Sequence, residues 1–171
     1  MAWWIMMQHH HAPTRLLDWT RSPFVAAYFA VVDERETDGV IWVVERRCLD
    51  AQGPKTVNGF DKWLDEPQGK GPPSLFSVEA EMRTERMIAQ QTVMTVADQT
   101  GADHGEIVMR SPVPPVVDGV CMRATIRIPA ASKPAFLAGL QRMNISARTL
   151  FPGIDGLGRS LAEFVSLAGR S

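Results

Sequence analysis

The sequence predicts an α+β fold: a small mixed or antiparallel sheet with flanking helices, in a single domain spanning residues 1–171. Three observations predict it. Ser22-Pro23 precedes the apolar run "FVAAYFAVV", where a capping serine and a proline at the first helical position mark a helix start. "VIWVV" (40–44) and "TVMTVA" (92–97) are short β-branched runs of strand length. "GVCMRATIRIP" alternates apolar and polar residues, the period of a half-exposed strand.

Taken in order, the first helix is expected to turn Phe24, Ala27, Tyr28 and Val31 inward and to end at the polar run "DERETDG". "VIWVV" then reads as a strand covered on both faces. Residues 46–77 are loop-like, with Trp63 and Leu64 anchoring one turn. "VEAEMRTERMIAQQ" carries helix formers, with Met82 and Ile88 as inward contacts and Glu79, Glu81 and Glu85 on a solvated face. "DQTGADHGE" reads as a turn region, and "SPVPPVV" as an extended connection. In the alternating strand, Val120, Met122, Ala124, Ile126 and Ile128 share one face and Cys121, Arg123, Thr125 and Arg127 the other. Two helices close the chain. Ser132 caps the first, whose Phe136, Leu137, Leu140 and Met143 face inward. The second follows Asp155, turns Leu157, Leu161, Phe164, Val165 and Ala168 inward, and stops at Gly169.

Composition narrows the function classes. A net charge of −1 gives no bulk attraction for nucleic acid or an anionic membrane. Arginine nevertheless outnumbers lysine fourteen to four, which keeps local phosphate or carboxylate sites open. Cys48 and Cys121 lie far apart with no CxxC context, as expected of reduced thiols in a cytoplasmic protein. The apolar opening "MAWWIMM" is too short to span a bilayer and lacks a basic n-region. Trp3, Trp4 and Ile5 place hydrophobic surface at a terminus, where a helix end, a preceding segment or a protein partner is expected to cover it.

The chemistry-bearing residues concentrate in "QHHHAPTRLLDWTRSPFVAAYFA", residues 8–30. His9, His10 and His11 are adjacent, whereas a metal-binding pair on a helix needs i, i+4 spacing, so no metal site is expected. Arg15 and Asp18 are three apart and suit a local ion pair, with Asp18 also near the positive end of the helix that follows. Two readings stay open. In the first, the pair locks the segment while Leu16, Leu17 and Trp19 plug a core. In the second, Thr20, Ser22, Arg15 and Arg21 at a helix start form a phosphate site. Locking takes precedence, because many exposed helix starts bind nothing. Arg86 and the pair Gln90-Gln91 lie where a helix feeds a strand and could line a cleft. No Ser/His/Asp order, Walker loop or dinucleotide GxGxxG is present.

The segment 8–30 resembles the hallmark of the FRG domain family, Gln-His-His-Gly-x-Pro-Thr-Arg-Leu-Leu-Asp-Trp-Thr-x-Ser-Pro followed by an Ala/Phe-rich helix. "RMIAQQTVMTV" is similar to the family's Arg…Gln-Gln-Gly-x-Phe block, and "MNISARTLFPGIDGLGRSL" to its C-terminal block. His11 and Thr92 stand where glycines are usual, and Met94 replaces a phenylalanine. The Phe-Arg-Gly tripeptide that names the family is absent, so the chain resembles an FRG domain shortened at its N-terminus. The resemblance implies a bacterial or phage-associated domain with an ADP-ribosyltransferase-like layout. It implies a nucleotide ligand, NAD as its cofactor, and a toxin or phage-defence role. The implied cleft comprises His9, His10, Thr14, Arg15, Asp18, Thr20, Ser22, Arg86 and Gln91. There His10 and Arg15 would contact phosphate or base, Asp18 would orient Arg15, and Gln91 would position a ribose hydroxyl. Breaking the nicotinamide–ribose bond needs a negative charge beside an oxocarbenium-like centre, which the amides of Gln90 and Gln91 do not supply. The resemblance therefore also implies an impaired enzyme, or a non-enzymatic interaction or accessory module with a degenerate cleft.

Overall fold

The structure, a computed structural model, describes residues 2–10, 12–34, 36–50, 73–78, 83–114, 116–118 and 120–168. The expectations placed on His11, Trp63, Leu64, Glu79, Glu81, Met82 and Gly169 lie outside the described residues. Helices and small antiparallel sheets make an α+β fold. Two compact units divide the chain, each gathering three separate stretches. Met1–Trp19, Trp42–Glu81 and Val93–Thr125 form the first, and Thr20–Ile41, Met82–Thr92 and Ile126–Ser171 the second.

In the first unit, helix α1 (Ala2–His9) leads to strand β1 (Leu16–Thr20), whose last residue passes into the second unit. A three-stranded sheet follows the order β1-β4-β3, with β3 at Leu75–Val78 and the central β4 at Thr92–Ala97. β3 and β4 are antiparallel, Leu75 opposite Ala97 and Val78 opposite Met94. β1 runs against β4 in the same sense: Ala97 N–H donates to the Arg15 carbonyl at 3.3 Å, and Arg21 N–H to the Gln91 carbonyl at 3.2 Å. β4 has neighbours on both sides and buries Met94, Thr95, Val96 and Ala97. Leu49, Leu75, Ala97, Ile107 and Val108 form the core, with Trp19, Val44 and Ala102 packed against it. Two short helices supply part of it, α3 (Arg46–Asp50) and a helix at His104–Met109.

In the second unit, helix α2 (Pro23–Val32) starts as the sequence dictates. Ser22 is its N-cap, with the side-chain oxygen accepting from Val25 N–H at 3.3 Å. At its other end the buried ammonium of Lys133 donates to the carbonyls of Asp33 (3.2 Å) and Glu34 (2.9 Å), a cation at a helix C-terminus. Helix α4 is Glu85–Ala89, capped by Thr84; the helix at His104–Met109 is then α5, and Lys133–Arg142, Ala147–Leu150 and Ile154–Ala168 are α6, α7 and α8. The core joins α2, α6 and α7 through Val25, Tyr28, Val31, Leu137, Leu140, Ala147, Leu150 and Phe151, with Ile128 between them. Strands β2 (Gly39–Val44) and β7 (Arg123–Ile128) pair in a two-stranded sheet, and both run from one unit into the other. β5 (Val116–Val117) and β6 (Val120–Cys121) make a small antiparallel ribbon.

Several expectations change here. "LLDWT", to which the sequence assigns no element, is a strand. The stretch 46–77 holds α3 and most of β3, and α5 begins inside the expected turn "DQTGADHGE" and runs three residues past it. In α2, Val25, Tyr28 and Val31 are buried while Phe24 is 51% exposed. In α4, Met87 is buried and Ile88 is 61% exposed. β2, expected to be covered on both faces, leaves Val40, Trp42 and Val43 exposed. The alternating strand breaks at Met122 into β6 and β7, and Ile126 faces out. Ser132 forms no side-chain cap, since it ends a 3-10 turn (Ala130–Ser132) that leads directly into α6. Phe136 and Met143, expected inside, are exposed.

The largest departure is α8. Its apolar stripe points outward: Ile154 is 84% exposed, Phe164 69% and Val165 68%, and Leu157 and Leu161 are exposed as well. The buried side carries Gly156 and Glu163 instead. Gly156 is required by close approach, because a Cβ there would lie 1.9 Å from the Phe151 carbonyl oxygen. The Glu163 carboxylate accepts a hydrogen bond from the buried Tyr28 hydroxyl. Burial first, then the bond and the negative charge of Glu163, hold the Tyr28 phenol protonated far above its ordinary range. A buried carboxylate so placed fixes the rotation of α8 about its axis. Tyr28→Phe, which removes the phenol donor, is expected to lower stability by about 1.5–3 kcal/mol with an unchanged dependence on denaturant. Urea unfolding of both chains measures this, and a loss below about 0.5 kcal/mol would remove the bond from the account of α8.

Candidate functional site

The nine residues expected at a site divide between the two units. His9, His10, Thr14, Arg15 and Asp18 belong to the first, and Thr20, Ser22, Arg86 and Gln91 to the second.

In the first unit, His9 is the last residue of α1. His10 follows in a turn whose N–H reaches the carbonyls of Met6 (3.2 Å) and Met7 (3.1 Å). Thr14 donates its hydroxyl to Gln8 Oε1 at 2.6 Å and accepts from Leu16 N–H at 3.2 Å, so it fastens the end of α1 to the start of β1. The Arg15 guanidinium lies 4.7 Å from the centroid of the Trp4 ring and donates to the Asp98 carbonyl at 2.8 Å. Asp98 in turn accepts from the backbone N–H (2.9 Å) and hydroxyl (2.8 Å) of Ser74, tying the ends of β3 and β4 together. The expected Arg15–Asp18 ion pair does not form. Positions three apart are neighbours on a helix, but on a strand they point to opposite faces. Asp18 is exposed on the face away from Arg15.

A second network runs along the same strand. Trp19 Nε1–H donates to Thr95 Oγ1 at 2.9 Å, and Thr95 Oγ1 lies 2.8 Å from His104 Nδ1. The Thr95 hydroxyl has two lone pairs and one proton, so it gives that proton to His104 Nδ1 or accepts from it according to the imidazole tautomer. The Arg15 backbone carbonyl bonds the same imidazole. Burial outweighs that bond and the nearby Asp103 charge, and lowers the His104 pKa below its ordinary 6.5.

In the second unit, Thr20 donates its hydroxyl to the Gln90 carbonyl at 2.7 Å and accepts from Ser22 N–H at 3.1 Å. Ser22 is the α2 cap already described. Gln90 is buried and donates from Nε2 to the Leu150 carbonyl at 3.0 Å. Gln91 has φ 50°, the left-handed region, as the chain reverses from α4 into β4, and its side chain is exposed. The Arg86 guanidinium lies 4.8 Å from the centroid of the Phe151 ring, and Arg159 lies 4.4 Å from the same centroid. Phe29 meets that ring edge-on at 6.0 Å.

Sequence reasoning missed Trp4, Thr95, Asp98 and His104 in the first unit, and Phe151, Arg159 and Glu163 in the second. One signal was available for His104. Asp103 with Glu106 three residues on is a helix-start signature, and the Asp103 carboxylate does accept from Glu106 N–H at 3.0 Å. Among the described residues no group of three or more His, Cys, Asp or Glu could hold a metal ion. Among them, too, no helix is long and apolar enough to cross a membrane.

In the comparison with protein families, residues 1–39 match the family model of the FRG domain. That match covers α1, β1 and α2, the part of the chain that carries the Arg15, Thr20 and Ser22 contacts. Neither curated proteins nor solved structures give a match to this chain.

His104 supplies a pH prediction. Its pKa is depressed in the folded state, so its contribution is fully present above about 6.5, the unfolded value, and is lost as pH falls through the folded value. The melting temperature is expected to drop between about pH 7.5 and 5, and His104→Gln to flatten that part of the slope. Thermal melts of both chains across this range test it; parallel slopes would show that His104 does not carry the effect.

Proposed function

We propose that this chain is an FRG-type domain working as a non-enzymatic interaction or accessory module, with its hallmark segment serving as a latch for the fold. One observation carries the reading: the polar ends suited to an anion are directed at the chain's own groups. Thr14 holds Gln8, Arg15 holds Trp4 and the Asp98 carbonyl, Thr20 holds the Gln90 carbonyl, and Ser22 caps α2. The contacts of Arg15 join α1 to the far end of β4, so the arginine stabilises the unit by bridging segments distant in sequence. Its stacking and its charge-assisted bond are together worth about 2 kcal/mol.

A nucleotide-binding reading is favoured by a different observation. The Arg86 and Arg159 guanidiniums both stack on Phe151, and Arg159 lies close enough to the buried Tyr28–Glu163 pair to act on Tyr28 by charge. Two guanidiniums suit the pyrophosphate of NAD, and a carboxylate is the group that Gln90 and Gln91 lack for ADP-ribosyltransferase-like chemistry. In this reading the domain acts as a toxin or in phage defence.

Titration calorimetry with NAD, together with melting of Arg15→Ala and Arg86→Ala, separates the two. The latch reading expects no saturable heat with NAD and a fall of several degrees in melting temperature for Arg15→Ala. Saturable NAD binding that Arg86→Ala or Arg15→Ala abolishes at unchanged melting temperature would overturn it in favour of the nucleotide-binding domain.

A further inference from the structure

Two arginines of the second unit meet on one ring, and the packing of α4, α7 and α8 brings them there. Gln90, at the end of α4, donates from Nε2 to the Leu150 carbonyl at 3.0 Å, which ties α4 to the end of α7. Gly156 lets α8 pass close to the carbonyl of Phe151, the residue that ends α7. Arg86 lies one turn before Gln90, and Arg159 three residues after Gly156. Their guanidiniums reach the Phe151 ring, 4.8 Å and 4.4 Å from its centroid.

Two like charges so placed need a counter-charge. They lie within about 10 Å of each other, the Debye length at 0.1 M salt, so solvent ions screen their repulsion incompletely. The quadrupole of one ring offsets only part of it. Among the described residues neither guanidinium pairs with a carboxylate. Glu163, one turn on from Arg159 in α8, is buried and bonded to the Tyr28 hydroxyl. The net charge of −1 also conceals a difference between the units. The second carries ten Arg and Lys against seven Asp and Glu, the first eight against twelve. Attraction for an anion thus belongs to the unit that holds Phe151.

The chemistry of the pair selects the ligand. Guanidinium forks match phosphate and carboxylate oxygens alike, but one carboxylate brings a single charge to two cations. A phosphate monoester brings nearly two at neutral pH. Arg159 is exposed and Arg86 half-buried, so a solute reaches both while the stacking holds them in place. Beside them Phe29 meets Phe151 edge-on at 6.0 Å and is 44% exposed, which leaves ring surface for a base to stack on.

We propose that Arg86 and Arg159 form a phosphate site on Phe151, and that with Phe29 beside it the ligand class is a nucleoside monophosphate. The site is that of the nucleotide-binding reading, on whose arginines it rests; it needs neither NAD nor catalysis and is compatible with a non-enzymatic module.

Titration calorimetry of the full chain at low salt with AMP, ribose 5-phosphate, adenosine and NAD tests it. AMP is expected to bind saturably and adenosine not to bind in the same range, and the affinity for AMP is expected to fall as salt rises. Arg159→Gln is expected to weaken AMP binding at least about tenfold. Arg86→Lys keeps the charge and the stacking but loses the fork, and is expected to weaken it by a similar factor at unchanged melting temperature. Phe29→Leu is expected to bring AMP down to the affinity of ribose 5-phosphate. Absence of saturable AMP binding by the folded chain would overturn the proposal. So would AMP binding that both arginine variants leave intact, adenosine binding of equal strength, or a preference for AMP over ribose 5-phosphate that survives Phe29→Leu. Saturable binding of NAD without AMP would also overturn it while leaving the NAD reading standing, whereas AMP without NAD would support it and remove the NAD reading.

Discussion

The pairing of β1 with β4 is the constraint on which the hallmark segment depends. Once "LLDWT" is a strand, period two decides where every side chain goes. Arg15 and Trp19 share one face, where Arg15 reaches the Asp98 carbonyl and Trp19 reaches Thr95. Asp18 falls on the other face and is exposed. The strand also delivers Thr20 and Ser22 to the start of α2, where Thr20 ties the turn to the Gln90 carbonyl and Ser22 satisfies an orphan N–H of the helix. A dense polar motif thus does the work of several separate connections, most of them side chain to backbone. Groups of this kind are what a small sheet needs, because three strands bury few ladder hydrogen bonds of their own.

The second unit depends on a buried polar pair of a different kind. Tyr28 lies on the inner face of α2 at 1% exposure, and its hydroxyl has to find a partner within the protein. Glu163 supplies it, and Gly156 allows α8 to come down on the Phe151 backbone. These two contacts turn the side of α8 that carries Gly156 and Glu163 inward and leave its apolar stripe outside. The same helix places Arg159 on Phe151 opposite Arg86 in sequence order, so one aromatic ring collects two guanidiniums and the edge of Phe29. Cation stacking here keeps two long charged side chains ordered where an ion pair would have neutralised them.

By itself the sequence determined the local features with strong chemistry. The cap at Ser22 and proline at the first turn marked α2, β-branched runs marked β2 and β4, and the alternation of 120–128 marked the β6–β7 stretch. The α+β class followed from these, and the motif 8–30 pointed to the FRG family whose model matches residues 1–39. Weak local signals hid the rest. β1 has no strand signal of its own, because the residues between the Pro13-Thr14 pair and the Ser22 cap carry no alternation, and its strand character comes from β4. Tertiary structure alone decided that Arg15 stacks on Trp4, that His104 joins Trp19 through Thr95, and that Glu163 is buried while Leu161 is exposed. Periodicity shows which residues share a face of a helix. Which face turns inward is settled by tertiary structure, and at α8 the buried side is the one that carries Gly156 and Glu163, the latter bonded to Tyr28 of another helix.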